Sequence, residues 1–154
     1  MRINAKEMLP QTVTIVNRLK GVDNDSGRDI FHKKTLKDCV WMDKQIGSRN
    51  GNEMVYTNGY QVHIPKNQES TYFEYNMWKN QENINDCFTF SIDDYVILGD
   101  VSEEITPNNI TEIIEKYKPN ALQIRQFQDL SIPNISTNGN FLMKYASMFY
   151  VEGV

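Results

Sequence analysis

The stretch Phe88-Thr89-Phe90-Ser91-Ile92-Asp93-Asp94-Tyr95-Val96-Ile97-Leu98-Gly99-Asp100-Val101 constrains the fold of this chain more than any other. Asp93-Asp94 reads as a turn, Tyr95 to Leu98 as a buried strand and Gly99 as a break. A capped helix follows near Thr106. A short apolar run bounded by turn residues belongs inside a sheet, so the layout is that of a small β-rich domain. Nothing in the stretch is set up for chemistry.

The rest of the chain reads the same way. Thr12-Val13-Thr14-Ile15-Val16-Asn17 alternates, with Val13 and Ile15 on one strand face. Gly21 to Gly27 has loop composition. Two further strands are predicted over 29–35 and 37–44, the first with Ile30 and His32 on one face, the second with Cys39 and Trp41. Gly47-Ser48-Arg49-Asn50-Gly51-Asn52 reads as a turn or loop tip. A strand over 54–64 is punctuated by Asn58-Gly59, a hairpin signal or a bulge, and ended by Pro65. Strands are also expected over 88–90, 121–130 and 141–151, with a loop over 131–140. The single helix has Thr106 as N-cap, Pro107 at its first position and Ile105 and Ile110 as a hydrophobic staple. Ile110, Ile113, Ile114 and Tyr117 form its apolar face, and Pro119 stops it. The expected fold is mainly β: a small antiparallel barrel or sandwich with one short α-helix near residues 106–118. The 154 residues make a single domain, preceded by an arm over residues 1–10.

Residues 66–86 break the pattern. Tyr72, Phe73, Tyr75, Met77 and Trp78 stand among Asn, Gln and Glu without clean periodicity. Unstructured loops of this length are usually functional. One reading is a long projecting loop whose Tyr72, Phe73, Tyr75 and Trp78 are interface anchors for a partner protein. The other is a lid whose aromatics fold back over an open end of the core.

Composition narrows the classes of function. A net charge of −4 and a pI near 5.2 argue against a protein whose task is to neutralise phosphates. The longest apolar run is strand-sized, far short of the roughly 18 residues of a membrane span, and the first residues lack the apolar core of a secretory signal. Cys39 and Cys87 are expected as buried free thiols. Asp23-Asn24-Asp25-Ser26-Gly27 opens like a calcium loop, but Lys34 stands where an EF-hand needs glutamate, so it reads as an ordinary turn. His32, His63, Cys39 and Cys87 lack the close-spaced pairs of a zinc site, and neither cysteine has a motif beside it that would make a nucleophile. Nothing points to catalysis, a metal or a cofactor. Basic residues gather early (Arg18, Lys20, Lys33, Lys34, Lys37). Acidic ones gather late (Asp93, Asp94, Asp100, Glu103, Glu104, Glu112, Glu115), as solvated faces or complementary subunit edges.

The order of Thr12-Val13-Thr14-Ile15-Val16, Lys34-Thr35-Leu36-Lys37-Asp38-Cys39-Val40-Trp41, Val62-His63-Ile64-Pro65, Tyr72 to Trp78-Lys79, Phe88-Thr89-Phe90 and Asp94-Tyr95-Val96-Ile97-Leu98-Gly99 resembles a family of small prophage proteins of Gram-positive hosts. More loosely it is similar to the minor capsid and head–tail joining proteins of long-tailed phages. The resemblance covers most of residues 11–130 and departs at Ser91-Ile92-Asp93-Asp94, where a Gly-Asp turn is expected. It implies a head-completion, stopper-like β-barrel that assembles as a homo-oligomeric ring of six or twelve subunits between portal or adaptor and tail proteins. It also implies a place in the virion, assembled in host cytoplasm, with DNA passing through and no membrane partner. The alternatives are a stand-alone barrel that binds peptide or nucleic acid, and a tail-terminator or minor capsid component.

Overall fold

The computed structural model describes residues 11–65, 71–130 and 148–154. The arm over 1–10, residues 66–70, the loop over 131–140 and the part of the last strand expected over 141–147 lie outside the described residues. Six strands form a closed antiparallel barrel: β1 (Gln11–Leu19), β2 (Ile30–Asn50), β3 (Glu53–Pro65), β4 (Tyr95–Leu98), β5 (Ala121–Leu130) and β6 (Met148–Gly153). Their order around the barrel is β1-β2-β3-β6-β5-β4. Two short helices accompany them, α1 (Tyr75–Trp78) and α2 (Ile110–Tyr117).

Alternation decides which side chains enter the barrel. Val13 and Ile15 of β1, Val62 and Ile64 of β3, Val96 of β4, Leu122 and Ile124 of β5, and Phe149 and Val151 of β6 form its buried core. Val16, Ile97 and Ala121 point the other way and are buried under Ile110, Ile113 and Ile114 of α2. Strand β4 is therefore covered on both sides, which is why Tyr95-Val96-Ile97-Leu98 is apolar without alternating.

The regular helix begins at Ile110, three residues later than the capping signals suggest. Residues 106–109 form a turn instead. The Asn109 Oδ1 accepts from the Thr106 N–H at 2.7 Å, and its Nδ2 donates to the Glu104 carbonyl at 2.8 Å. No side chain caps the helix itself; Asn109 ties down the approach while the Thr106 carbonyl accepts from the Asn109 and Ile110 N–H groups.

The two strands expected over 29–35 and 37–44 are one. Strand β2 pairs with β1 up to Cys39 and with β3 from Val40 onward. Three residues of β2 (36 to 39) span the distance of two in β1 (13 to 11), and Asp38 sits at φ 62. This bulge bends the strand from one neighbour to the other and puts both Leu36 and Cys39 inside the barrel. Gly47 to Asn50 is likewise strand, and the hairpin turns at Gly51-Asn52. Gly51 has φ +65, the demand at the first position of a II′ turn that glycine meets without strain. Asn58-Gly59 lies inside β3, opposite Gln45 and Lys44. The strand expected over 88–90 is reduced to a single parallel bridge between Tyr72 and Phe88.

Candidate interaction surface

Two segments leave the barrel wall, and they behave oppositely. Residues 71–90 lie across one end of the barrel as a strap. Tyr72 packs on Phe149 at 4.6 Å between ring centroids, on Phe90 at 5.3 Å and on Phe88 at 5.6 Å, closing the core with aromatic rings. Trp78 is fully buried, edge-on to His32 at 5.7 Å, and its indole N–H has no partner among the described residues. Tyr75 donates its hydroxyl proton to Asp23 and accepts from the Lys20 N–H, while Lys79 pairs with Asp23 at 3.2 Å. Burial, followed by the bond to Asp23, pushes the Tyr75 phenol up to about 12.

The four aromatics proposed from sequence as interface anchors thus do not form an exposed patch. Trp78 and Tyr72 face the protein's own core, and Phe73 and Tyr75 are half-buried. The strap does not project. A segment without a strand ladder is held here by burying its rings. The one-turn α1 inside it has no sequence signal of its own, since four residues carry no periodicity.

Beneath the strap is a buried polar knot that sequence reasoning missed. Asn17 continues the inward register of Val13 and Ile15. Its Nδ2 donates to the Thr89 carbonyl at 2.7 Å and to Asp94 Oδ2 at 2.9 Å, and its Oδ1 accepts from the Thr89 N–H at 3.1 Å. The Arg18 N–H donates to Asp94 Oδ1 at 3.1 Å. Asp94 is 2 % exposed, so it is not part of a solvated acidic face. Burial raises its carboxyl to about 7, outweighing the bonds from Asn17 and Arg18 that favour the anion. A polar residue on an inward strand face was the available signal, because such a group must find partners.

The second segment is the hairpin arm. Beyond Trp41, strand β2 keeps only β3 as a neighbour, and before Tyr60, β3 keeps only β2 among the described residues. The result is a two-stranded ribbon whose residues 43–50 rise about 25 Å at ~3.3 Å each. Along it Met42, Met54, Val55 and Tyr56 are exposed, Tyr56 at 62 %. Tyr56 and Met54 lie over Gly47, where a Cβ would come within 3.2 Å of each. At its base Lys44 pairs with the mostly buried Glu152 of β6, fastening the ribbon to the barrel. A groove of about 360 Å³ lined by Asp43, Lys44, Gln45, Asn58, Gly59 and Tyr60 opens there.

The candidate ligands for chemistry are not gathered. Asp23 is engaged by Tyr75 and Lys79, and the Asn24 amide donates to the Lys20 and Arg28 carbonyls, which leaves that loop no inward oxygen cage. Among the described residues no group of three His, Cys, Asp or Glu side chains could hold a metal. Cys39 is buried in the core, and Cys87, half-buried and outside any strand, has its thiol pushed up by burial and by Asp86, away from nucleophilic use. His32 shares a hydrogen bond of 2.7 Å with Asn85, and burial lowers the pKa of His63. A larger groove of about 500 Å³ runs between Asp29–Lys33, Asn85 and residues 104–107. Its lysine is already committed, since Lys33 Nζ donates to the Val101 and Glu103 carbonyls at 2.8 Å. No helix of the described residues is long and apolar enough to cross a membrane.

Comparison with curated proteins and with solved structures returned no match. A family comparison did: residues 8–138, most of the barrel, the arm and the whole strap, match a family of unknown function. The chain belongs to that family, DUF6751.

Proposed function

We propose that this protein is a structural subunit of a phage head–tail connector, a head-completion or stopper-like barrel that assembles as a ring of six or twelve copies between portal and tail. The observation that carries the reading is the arm: a ribbon reaching clear of a closed barrel, with edges unpaired among the described residues and exposed apolar side chains, is suited to contact between subunits. The resemblance of the sequence to phage joining proteins supplies the setting, the virion. The acidic balance suits a passage through which DNA slides without sticking. The role is mechanical, with no catalytic residue assigned. The contacts with neighbours are assigned to the arm and to the half-buried Phe73 and Tyr75 on the strap's surface, since Trp78 has no exposure to offer.

Native mass spectrometry tests this, on the chain alone and after mixing with a phage portal ring. Particles at six or twelve times 18.0 kDa, or that number of copies seated on the portal, are expected. A variant in which Gly-Asn replaces residues 45–58 should keep the barrel and lose the ring. No ring and no portal binding under any of these conditions overturns the reading.

A further inference from the structure

The arm also bears on how isolated subunits could meet. We infer that the outer edge of β2 in the arm docks on the same edge of a second copy, the two strands running antiparallel about a two-fold axis at Ile46. The inference does not depend on the connector reading.

Three observations converge. The first is where the barrel's own ladder stops. Gln11 is the last residue of β1 paired with β2, opposite Cys39, and the Trp41 N–H is already taken by the Gln11 side chain at 2.9 Å. From Met42 to Asn50, β2 has β3 on one side and no strand on the other among the described residues. A two-stranded ribbon is marginal in water, and joining two ribbons edge to edge makes a four-stranded sheet.

The second is charge. Asp43 and Arg49 stand three residues on either side of Ile46. Both are exposed, and they share one face, in register with Tyr60 and Met54. Neither makes an ion pair among the described residues. Antiparallel pairing centred on Ile46 places Asp43 of each copy directly opposite Arg49 of the other, twice per contact. Parallel in-register pairing would set Asp43 against Asp43 and Arg49 against Arg49, so the charges select the antiparallel arrangement.

The third is the balance of the whole arm. Asp43 and Glu53 offset Lys44 and Arg49, and Lys44 is held by Glu152. A strongly charged partner such as nucleic acid gains little here, whereas a copy of the same strand is complementary by symmetry. On the face that carries Asp43 and Arg49, Gly47 meets Gln45 of the other copy, so no bulky side chain blocks the approach. A two-fold contact closes after two copies and does not extend into a ring. It is therefore a resting form, in which the open edge is kept from indiscriminate strand pairing.

Sedimentation equilibrium of the full chain across concentration tests the inference. The native protein should run at twice 18.0 kDa. Asp43→Arg and Arg49→Asp should each weaken the dimer about tenfold or more, and the double exchange should return it to within about threefold of native. Both positions are exposed on the arm, so thermal melts at concentrations too dilute for the dimer should be unchanged. Amides of residues 43–49 should be protected from hydrogen exchange in the native dimer and lose that protection in either single variant. A native chain that stays monomeric at about 100 µM overturns the inference, as does a double exchange no better than the singles. Dimerisation seen only after removal of residues 1–10 would put that segment on the edge and overturn it too. A ring without a resting dimer leaves the connector reading standing and removes this one; a dimer that never joins a portal does the reverse.

Discussion

The strap over residues 71–90 and the arm over residues 42–60 are both aromatic-bearing excursions from the same barrel, yet one is folded flat and the other stands free. The difference lies in how each satisfies its backbone. In the arm every residue of β2 from Met42 to Asn50 is registered against β3, so the ladder between the two strands holds the main chain, its outward groups meet water, and the side chains are free to stay exposed. The strap has one bridge, one turn of helix and a short 3-10 turn at Ile84–Asp86. It is held by what its side chains reach: Tyr72 and Trp78 by burial, Thr89 by the Asn17 amide, Tyr75 and Lys79 by Asp23. Aromatic content alone does not mark an interface; an independent ladder is what lets a segment be exposed.

The sharpest break in that comparison is Trp78→Ala against Tyr56→Ala. Emptying the Trp78 site should cost about 3–5 kcal/mol, the range for large aromatic deletions in a core. Urea melts of the two variants measure this, and similar losses would mean that the strap is not held through its rings.

Next comes pH. The Asp94 carboxyl, ordinarily near 3.8, titrates near 7 in the folded protein because burial disfavours its charge. Below pH 3.8 it is protonated in both states and contributes no penalty. As pH rises from there to 7 the unfolded chain ionises first while the native state keeps the proton, so stability falls with rising pH and levels off above 7. Between pH 5 and pH 8 the loss should be about 2–3 kcal/mol, at 1.36 kcal/mol per pKa unit. Asp94→Asn should flatten that part of the profile, and an unchanged slope would show that another group carries it.

An effect of similar size is expected from Asn17→Ala. It strips partners from the Thr89 main chain and from Asp94 together, at about 2–3 kcal/mol for buried groups left unsatisfied. Hydrogen exchange should localise the opening to residues 88–90 and leave residues 43–59 unaffected. The smallest belongs to the arm: Tyr56→Ala should lower barrel stability by under about 1 kcal/mol, through the contact over Gly47 alone. A larger loss would mean that the arm folds as one unit with the barrel.

What the residue order determined by itself was everything that repeats. Alternation in Val13-Thr14-Ile15, in Val62-His63-Ile64 and over 121–130 marked real strands, and the spacing of Ile110, Ile113 and Ile114 marked the face of α2 that is buried. Period depends on local geometry, so it is readable locally. Three things were settled only in three dimensions. The bulge at Asp38 joined two predicted strands, because whether a strand ends or bends depends on which neighbours lie beside it. The hairpin turned at Gly51-Asn52 and not at Asn58-Gly59, because both dipeptides suit a turn and only the cross-strand register chooses between them. The third was the fate of the aromatics in 66–86: whether Tyr72 and Trp78 face a partner or the protein's own core depends on an open barrel end lying within their reach. That distance is a property of the closed barrel, made by strands far apart in the chain, and no local window of sequence contains it.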